Sequence, residues 1–125
     1  MADTNDLKYS KDHEWVRVDG DDVATVGVTA FAANQLGDVV YVDLPEVGSS
    51  VEAGSEMGEI ESTKSVSELF SPISGEVLEV NDDVVDTPET VNASPFEDGW
   101  LIRVKYTELP GDLLDAQQYA ELTGE

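Results

Sequence analysis

Four lysines and two arginines are the only fixed cations of this 125-residue chain. One of them, Lys64, stands in the run "ESTKSVSELFSPISGEV" at residues 61–77, beside the small hydroxyl residues Ser62, Thr63 and Ser65. A four-carbon stem ending in an amine, with no bulky neighbour, is sterically open to an enzyme that must close around it. Once neutral, that amine can attack an activated acyl group, and the amide that results abolishes the charge. This is the chemistry of a covalent attachment point. A solvated loop lysine is the alternative reading of the same residues.

Other chemistries find little footing. Cysteine is absent, which removes disulfides, thiolate metal sites and cysteine nucleophiles together. His13 is the only histidine, and neither Ser62 nor Ser65 has a histidine base nearby in sequence. Were His13 and Glu14 neighbours in one strand, their side chains would point to opposite faces. His13 is therefore read as a structural residue near the core edge. No metal-ligand spacing occurs, and Gly48, Gly54 and Gly58 lack the strand-to-helix context of a phosphate loop.

Acidic residues number 28 against 6 basic ones, a formal net charge of −22. Such a field repels nucleic acid and anionic membrane surfaces, which excludes both as partners. The acids are dispersed along the chain, with local clusters such as Asp19, Asp21 and Asp22. Dispersed acid with scarce lysine resembles adaptation to a high-salt cytoplasm, where screening suppresses self-repulsion. The polar N-terminus and the absence of any membrane-spanning run make a soluble cytoplasmic protein the expectation.

Short elements must position Lys64. Alternation predicts a hairpin over 13–28 turning at "DGDD" and strands at 75–80 and 100–106; 39–44 reads as a buried or half-buried strand ended by Pro45 and Gly48, and 56–62 and 65–70 as short strands flanking Thr63-Lys64. Thr29 is a candidate N-cap for a short helix, "AFAANQL", closed by Gly37. A further helix is predicted from Thr87-Pro88 through Ala93, and a C-terminal one over 112–123 with Asp112 as its cap. "GDVVYV" at 37 echoes "GEVLEV" at 75, and "EVGSSV" at 46 echoes "EVNDDV" at 79, a weak sign of two equivalent halves. Thr63-Lys64 at a hairpin tip predicts a type I-like or wider turn, because primed turns need positive φ and favour Asn-Gly or Asp-Gly. Many short strands with Gly and Pro turns predict one mostly β domain, an antiparallel sandwich or barrel with small peripheral helices.

The 61–77 segment resembles the lipoyl-lysine segment of the glycine cleavage H-protein family, whose pattern runs roughly E-S-x-K-x-x-S-[DE]-x-x-[SA]-P-[IV]-S-G-E. Further matching stretches follow in order: "LKYSKDHEWVRV" (7–18), "TVGVT" (25–29), "LGDVVYVDLPEVG" (36–48), "VNASPFEDGWLIRVK" (91–105) and "LLDAQQYAEL" (113–122). Each stretch alone is a weak signal, whereas all of them in order along the chain are highly specific.

The resemblance implies a lipoyl-domain-type barrel-sandwich hybrid of two antiparallel sheets with short peripheral helices and a C-terminal helix. It implies one lipoyl-carrier domain over 1–125, with residues 1–6 flexible, and lipoic acid held in amide linkage on Lys64. The chain would then be a carrier and not an enzyme, and a monomer. Its swinging arm would take an aminomethyl group at glycine decarboxylase (P protein) and deliver it to the aminomethyltransferase (T protein). Electrons would pass to dihydrolipoamide dehydrogenase (L protein), and a lipoate-attaching enzyme would install the group.

Glu14 and Glu68 match cleft-lining positions of the family pattern and are candidate contacts to the arm, Glu68 standing where Asp is common. The family's G-I-T-[DE]-H-A run is here Gly27-Val28-Thr29-Ala30-Phe31-Ala32, and Gln35 replaces a residue that is His in some members. Histidine contacts to an arm are thereby in doubt, while the attachment site is untouched. No Met flanks Lys64 as in the A-M-K-M of biotin carriers, and the D-K-A of 2-oxoacid dehydrogenase lipoyl domains is missing. An H-like lipoyl donor or scaffold is the remaining alternative.

Overall fold

The structure, a computed structural model, describes residues 7–10, 13–20, 22–96, 98–108 and 113–123. Among them run β1 (Lys8–Tyr9), β2 (Glu14–Gly20), β3 (Val23–Val28), α1 (Ala30–Leu36), β4 (Val39–Asp43), β5 (Ser50–Val51) and β6 (Glu56–Ser62). There follow β7 (Val66–Phe70), β8 (Ser74–Val80), α2 (Asp82–Asp86), α3 (Thr90–Ala93), β9 (Ile102–Glu108) and α4 (Ala116–Thr123). A six-stranded sheet has the order β1-β2-β3-β9-β8-β5, and a three-stranded sheet the order β4-β6-β7. All pairings are antiparallel. The mostly β fold of two antiparallel sheets with short helices is the expected one.

Both sheets contribute to one apolar core, with Val26, Ile102 and Val104 from the larger sheet and Val42, Ile60 and Leu69 from the smaller. Alternation understates how deeply the middle of the larger sheet is buried. Thr25 on β3 is fully buried although it faces away from that core, because Arg17 and Arg103 lie across it, each 3.4 Å from its hydroxyl. Trp15 is fully buried as well and stands opposite Gly27, whose missing Cβ leaves room for the indole. The indole N–H donates to the Pro95 carbonyl at 2.9 Å. Trp15 thus belongs to a second cluster with Leu7, Tyr9 and Tyr119, on which Phe96, Trp100 and Leu114 pack.

The Thr29 cap forms as expected, its Oγ accepting the Ala32 N–H at 3.2 Å. Gly37 ends α1 at φ +81°, a conformation that costs other residues more. Several elements differ from the sequence expectation. The two-residue strands β1 and β5 are too short to carry alternation. Helix α2 forms within "EVNDDV", where no helix was expected, because Asn81 caps it and Asp82 and Asp83 sit in its first turn. Helix α3 begins at Thr90, two residues after Pro88.

The C-terminal helix begins at Ala116, since the Leu114 backbone is engaged with Tyr9 and the Asp115 carboxylate accepts the Gln118 N–H at 2.8 Å. Asp112, residues 1–6 and the Asp21 part of the hairpin turn lie outside the described residues. The echoing segments fall in different sheets, one in β4 and the other in β8. No helix among the described residues is long and apolar enough to cross a membrane.

Candidate functional site

Strands β6 and β7 form the hairpin that carries Lys64, with Glu61 opposite Val66 and Ile60 opposite Ser67. Ser62 N–H donates to the Ser65 carbonyl at 2.8 Å, leaving Thr63 and Lys64 as the central pair. Neither has positive φ; among described non-glycine residues only His13 and Asp22 do. The turn is therefore unprimed, as two non-glycine residues require. Ser62 holds it from inside: its hydroxyl accepts the Lys64 and Ser65 N–H groups at 3.2 Å each and donates to the Ser65 carbonyl. The small hydroxyl residue that keeps the tip open also fixes its shape.

Thr63, Lys64 and Ser65 are exposed. The tip touches the body at the junction of α1 and β4, where Thr63 N–H donates to the Asp38 carbonyl at 3.0 Å. The Lys64 stem runs over Gly37; a Cβ at that glycine would lie 3.3 Å from Lys64 Cε.

Two residues beyond Lys64 the wall of a cavity of about 790 Å³ begins, with Val66, Ser67, Glu68, Leu69 and Phe70 of β7 on one side. Phe31, Ala32, Gln35 and Leu36 of α1 form the other side, and His13, Glu14, Val28 and Ile60 complete it. A volume of this order, a largely apolar lining and two carboxylates suit an apolar ligand with a polar end. Glu14 and Glu68, far apart in sequence, reach the same cavity. Glu14 is only 2% exposed and accepts the Ser10 hydroxyl at 2.7 Å, while Glu68 is open to solvent.

His13 also lines this cavity, which corrects the placement of His13 and Glu14 on opposite faces. The strand begins at Glu14, and His13 precedes it at φ +67°, so strand alternation does not apply to the pair. The His13 ring lies 4.8 Å from that of Phe31, and its Nδ1 is 2.7 Å from the Tyr119 hydroxyl. That hydroxyl is also 2.7 Å from Thr29 Oγ, and the Tyr119 ring stacks on Tyr9 at 4.6 Å. Burial raises the Tyr9 phenol above its ordinary pKa, so it stays protonated in this stack. Helix α4 is in this way bonded to the back of the cavity wall. Of the departures from the family pattern, Phe31 and Gln35 face the cavity, whereas Ala30 is not among its lining residues.

Sequence patterning missed Tyr119, on a helix read only for its extent and cap, and Asn92, on a helix read only for its extent. Asn92 Nδ2 donates to the Gly37 carbonyl at 2.8 Å and the Ala33 carbonyl at 3.4 Å, and its Oδ1 accepts the Val39 N–H at 2.8 Å. An asparagine directly after a buried valine, "VN", was the only local signal.

Residues 7–125 match the family model described as Glycine cleavage H-protein. The glycine cleavage system H protein of Streptomyces avermitilis is 58% identical over 124 residues, covering 99% of both chains. That of Clavibacter sepedonicus is 57% identical over 125 residues, covering 100% of both. The crystal structure of a glycine cleavage system H protein from Mycobacterium marinum superposes with a TM-score of 0.91 at 44% identity, covering 97% of this chain and 98% of that one.

Proposed function

The chain belongs to the glycine cleavage H-protein family, whose members are the lipoyl carriers of the glycine cleavage system, and from that premise we propose that Lys64 is its attachment point. One observation carries the proposal: Lys64 is exposed at a hairpin tip whose second strand leads within two residues into a cavity wall bearing two carboxylates. When bound, a lipoyl group supplies a disulfide that takes up a one-carbon amine fragment and electrons. The rest is done by this chain's own residues.

Ser62 shapes the tip, and Gly37 gives the lysine stem a flat bed. Val28, Leu36, Ile60 and Leu69 offer an apolar surface that excludes water from whatever lies on it. Glu14 and Glu68 supply negative charge for a cationic amine at the end of a docked arm. The chain is a carrier; catalysis belongs to P protein, T protein and L protein, which the tip visits in turn as a tethered reactant at high local concentration. A lipoate-attaching enzyme loads it, and the protein works as a cytoplasmic monomer. The high-salt reading of its charge rests on composition, and the sources of the relatives, Streptomyces and Clavibacter among them, give it no support.

Intact mass and peptide mapping of protein from its native host test the assignment: one lipoyl group on Lys64 and none on the other lysines. Lys64→Arg is expected to keep the unfolding free energy within about 0.5 kcal/mol, as exposed substitutions do, and to abolish glycine–bicarbonate exchange in the reconstituted system. An unmodified Lys64 in cells with active lipoate metabolism would overturn the reading.

A further inference from the structure

We propose that Asn92 is a positioning residue for Lys64: its side-chain amide pins the Gly37–Asp38 segment against which the lysine tip is docked. The proposal rests on Lys64 being the attachment point. Three of its bonds end on backbone atoms 53 to 59 residues away, at the Ala33 and Gly37 carbonyls and the Val39 N–H. Within that bracket the Asp38 carbonyl accepts the Thr63 N–H at 3.0 Å, and Gly37 lies under the Lys64 stem. The path from Asn92 to the lysine is thus one side chain, one glycine and one backbone hydrogen bond.

The ladder alone does not hold this junction. The register between β4 and β6 shifts between Val39 and Tyr41, so regular pairing is interrupted where the tip begins. Gly37 is at φ +81° in a segment between a helix end and a strand start, and without a tie its carbonyl is free to reorient. Only a neutral amide serves all three atoms, because it presents two donor hydrogens and an acceptor from one short stem. Asp has the acceptor and no donor, Leu neither.

Amide hydrogen exchange read by NMR tests the bracket without any modification of the lysine. In the wild-type protein the Thr63 amide is protected, and in Asn92→Ala its exchange rises about tenfold, as local opening of that magnitude predicts. Val91→Ala, which loosens the same helix and leaves the amide in place, is the control and accelerates Thr63 no more than it accelerates the Val104 amide. In parallel, a lipoate ligase given lipoate and ATP shows KM for Asn92→Ala raised about threefold with kcat unchanged, since only the fraction of tips in the competent position is recognised.

Asn92→Asp, which keeps the acceptor for Val39, takes the place of the alanine variant should the latter not fold, with the same expected direction. An unprotected Thr63 in the wild type, or equal acceleration by Val91→Ala, overturns the proposal. A wild-type chain that takes no lipoyl group sinks the attachment reading instead, and leaves the exchange result standing.

Discussion

At the Ser62–Ser65 tip the fastenings are hydrogen bonds of a serine hydroxyl and one backbone bond to Asp38, and the three residues after Ser62 are exposed. Around Trp15 the fastenings are rings: Trp15, Tyr9 and Tyr119 are buried, with Phe96 and Trp100 packed on them. The two regions meet at the cavity, where His13 touches Tyr119 from one side and Glu68 descends from the tip on the other. Apolar burial anchors the wall, since it is large and has no direction. Hydrogen bonds aim the tip, since they are directional and, at a surface, individually weak. A lysine that must be grasped by other proteins needs aim and access more than anchorage.

The contrast breaks most visibly at Trp15. Trp15→Ala is expected to destabilise the fold by about 3–5 kcal/mol, the range for a large buried aromatic, read from urea unfolding. A loss no larger than that of an exposed substitution would mean that the cluster is no anchor. A smaller effect is expected at Tyr119→Phe, which keeps the ring stack and deprives His13 and Thr29 of their shared hydroxyl. Its cost should be about 1–2 kcal/mol, that of buried polar groups losing a partner, and the far tip amide of Thr63 should exchange as before. Acceleration at Thr63 would show that the two regions are coupled through the cavity wall.

The smallest effect concerns charge. Asp43, Glu59 and Glu68 stand opposite one another across β4, β6 and β7, three like charges in one row. Cross-strand like charges destabilise a sheet and salt screens them. The unfolding midpoint should therefore rise as salt goes to molar concentration, and Glu59→Gln should flatten that rise. A midpoint indifferent to salt would refute both the row and the high-salt reading of the composition.

Much of this was legible in the chain. Strand β6 matches its sequence reading residue for residue, because turn residues, Gly54 before it and Thr63-Lys64 after it, bound it on both sides. The Thr29 cap and the unprimed turn at Thr63-Lys64 were readable because each depends on side chains within a few residues. Helix α2 was not, although its acidic first turn is local, because Asn81 spends its amide on the Asp98 and Trp100 carbonyls as well as on the cap. The bonds of Tyr119 to His13 and Thr29 join opposite ends of the chain, and no local pattern announces such a partner.

By itself the sequence determined that Lys64 sits on an open, hydroxyl-rich tip between two strands, and that Glu14 and Glu68 are acidic at family-like positions. Those facts depend on residue type and near neighbours. Only the tertiary structure decided that both carboxylates face one cavity, that His13 joins them by leaving the strand at positive φ, and that Asn92 holds the ground beneath the lysine. Each of these is a meeting of segments tens of residues apart. Such meetings follow from how two sheets close over a common core, which no local periodicity contains.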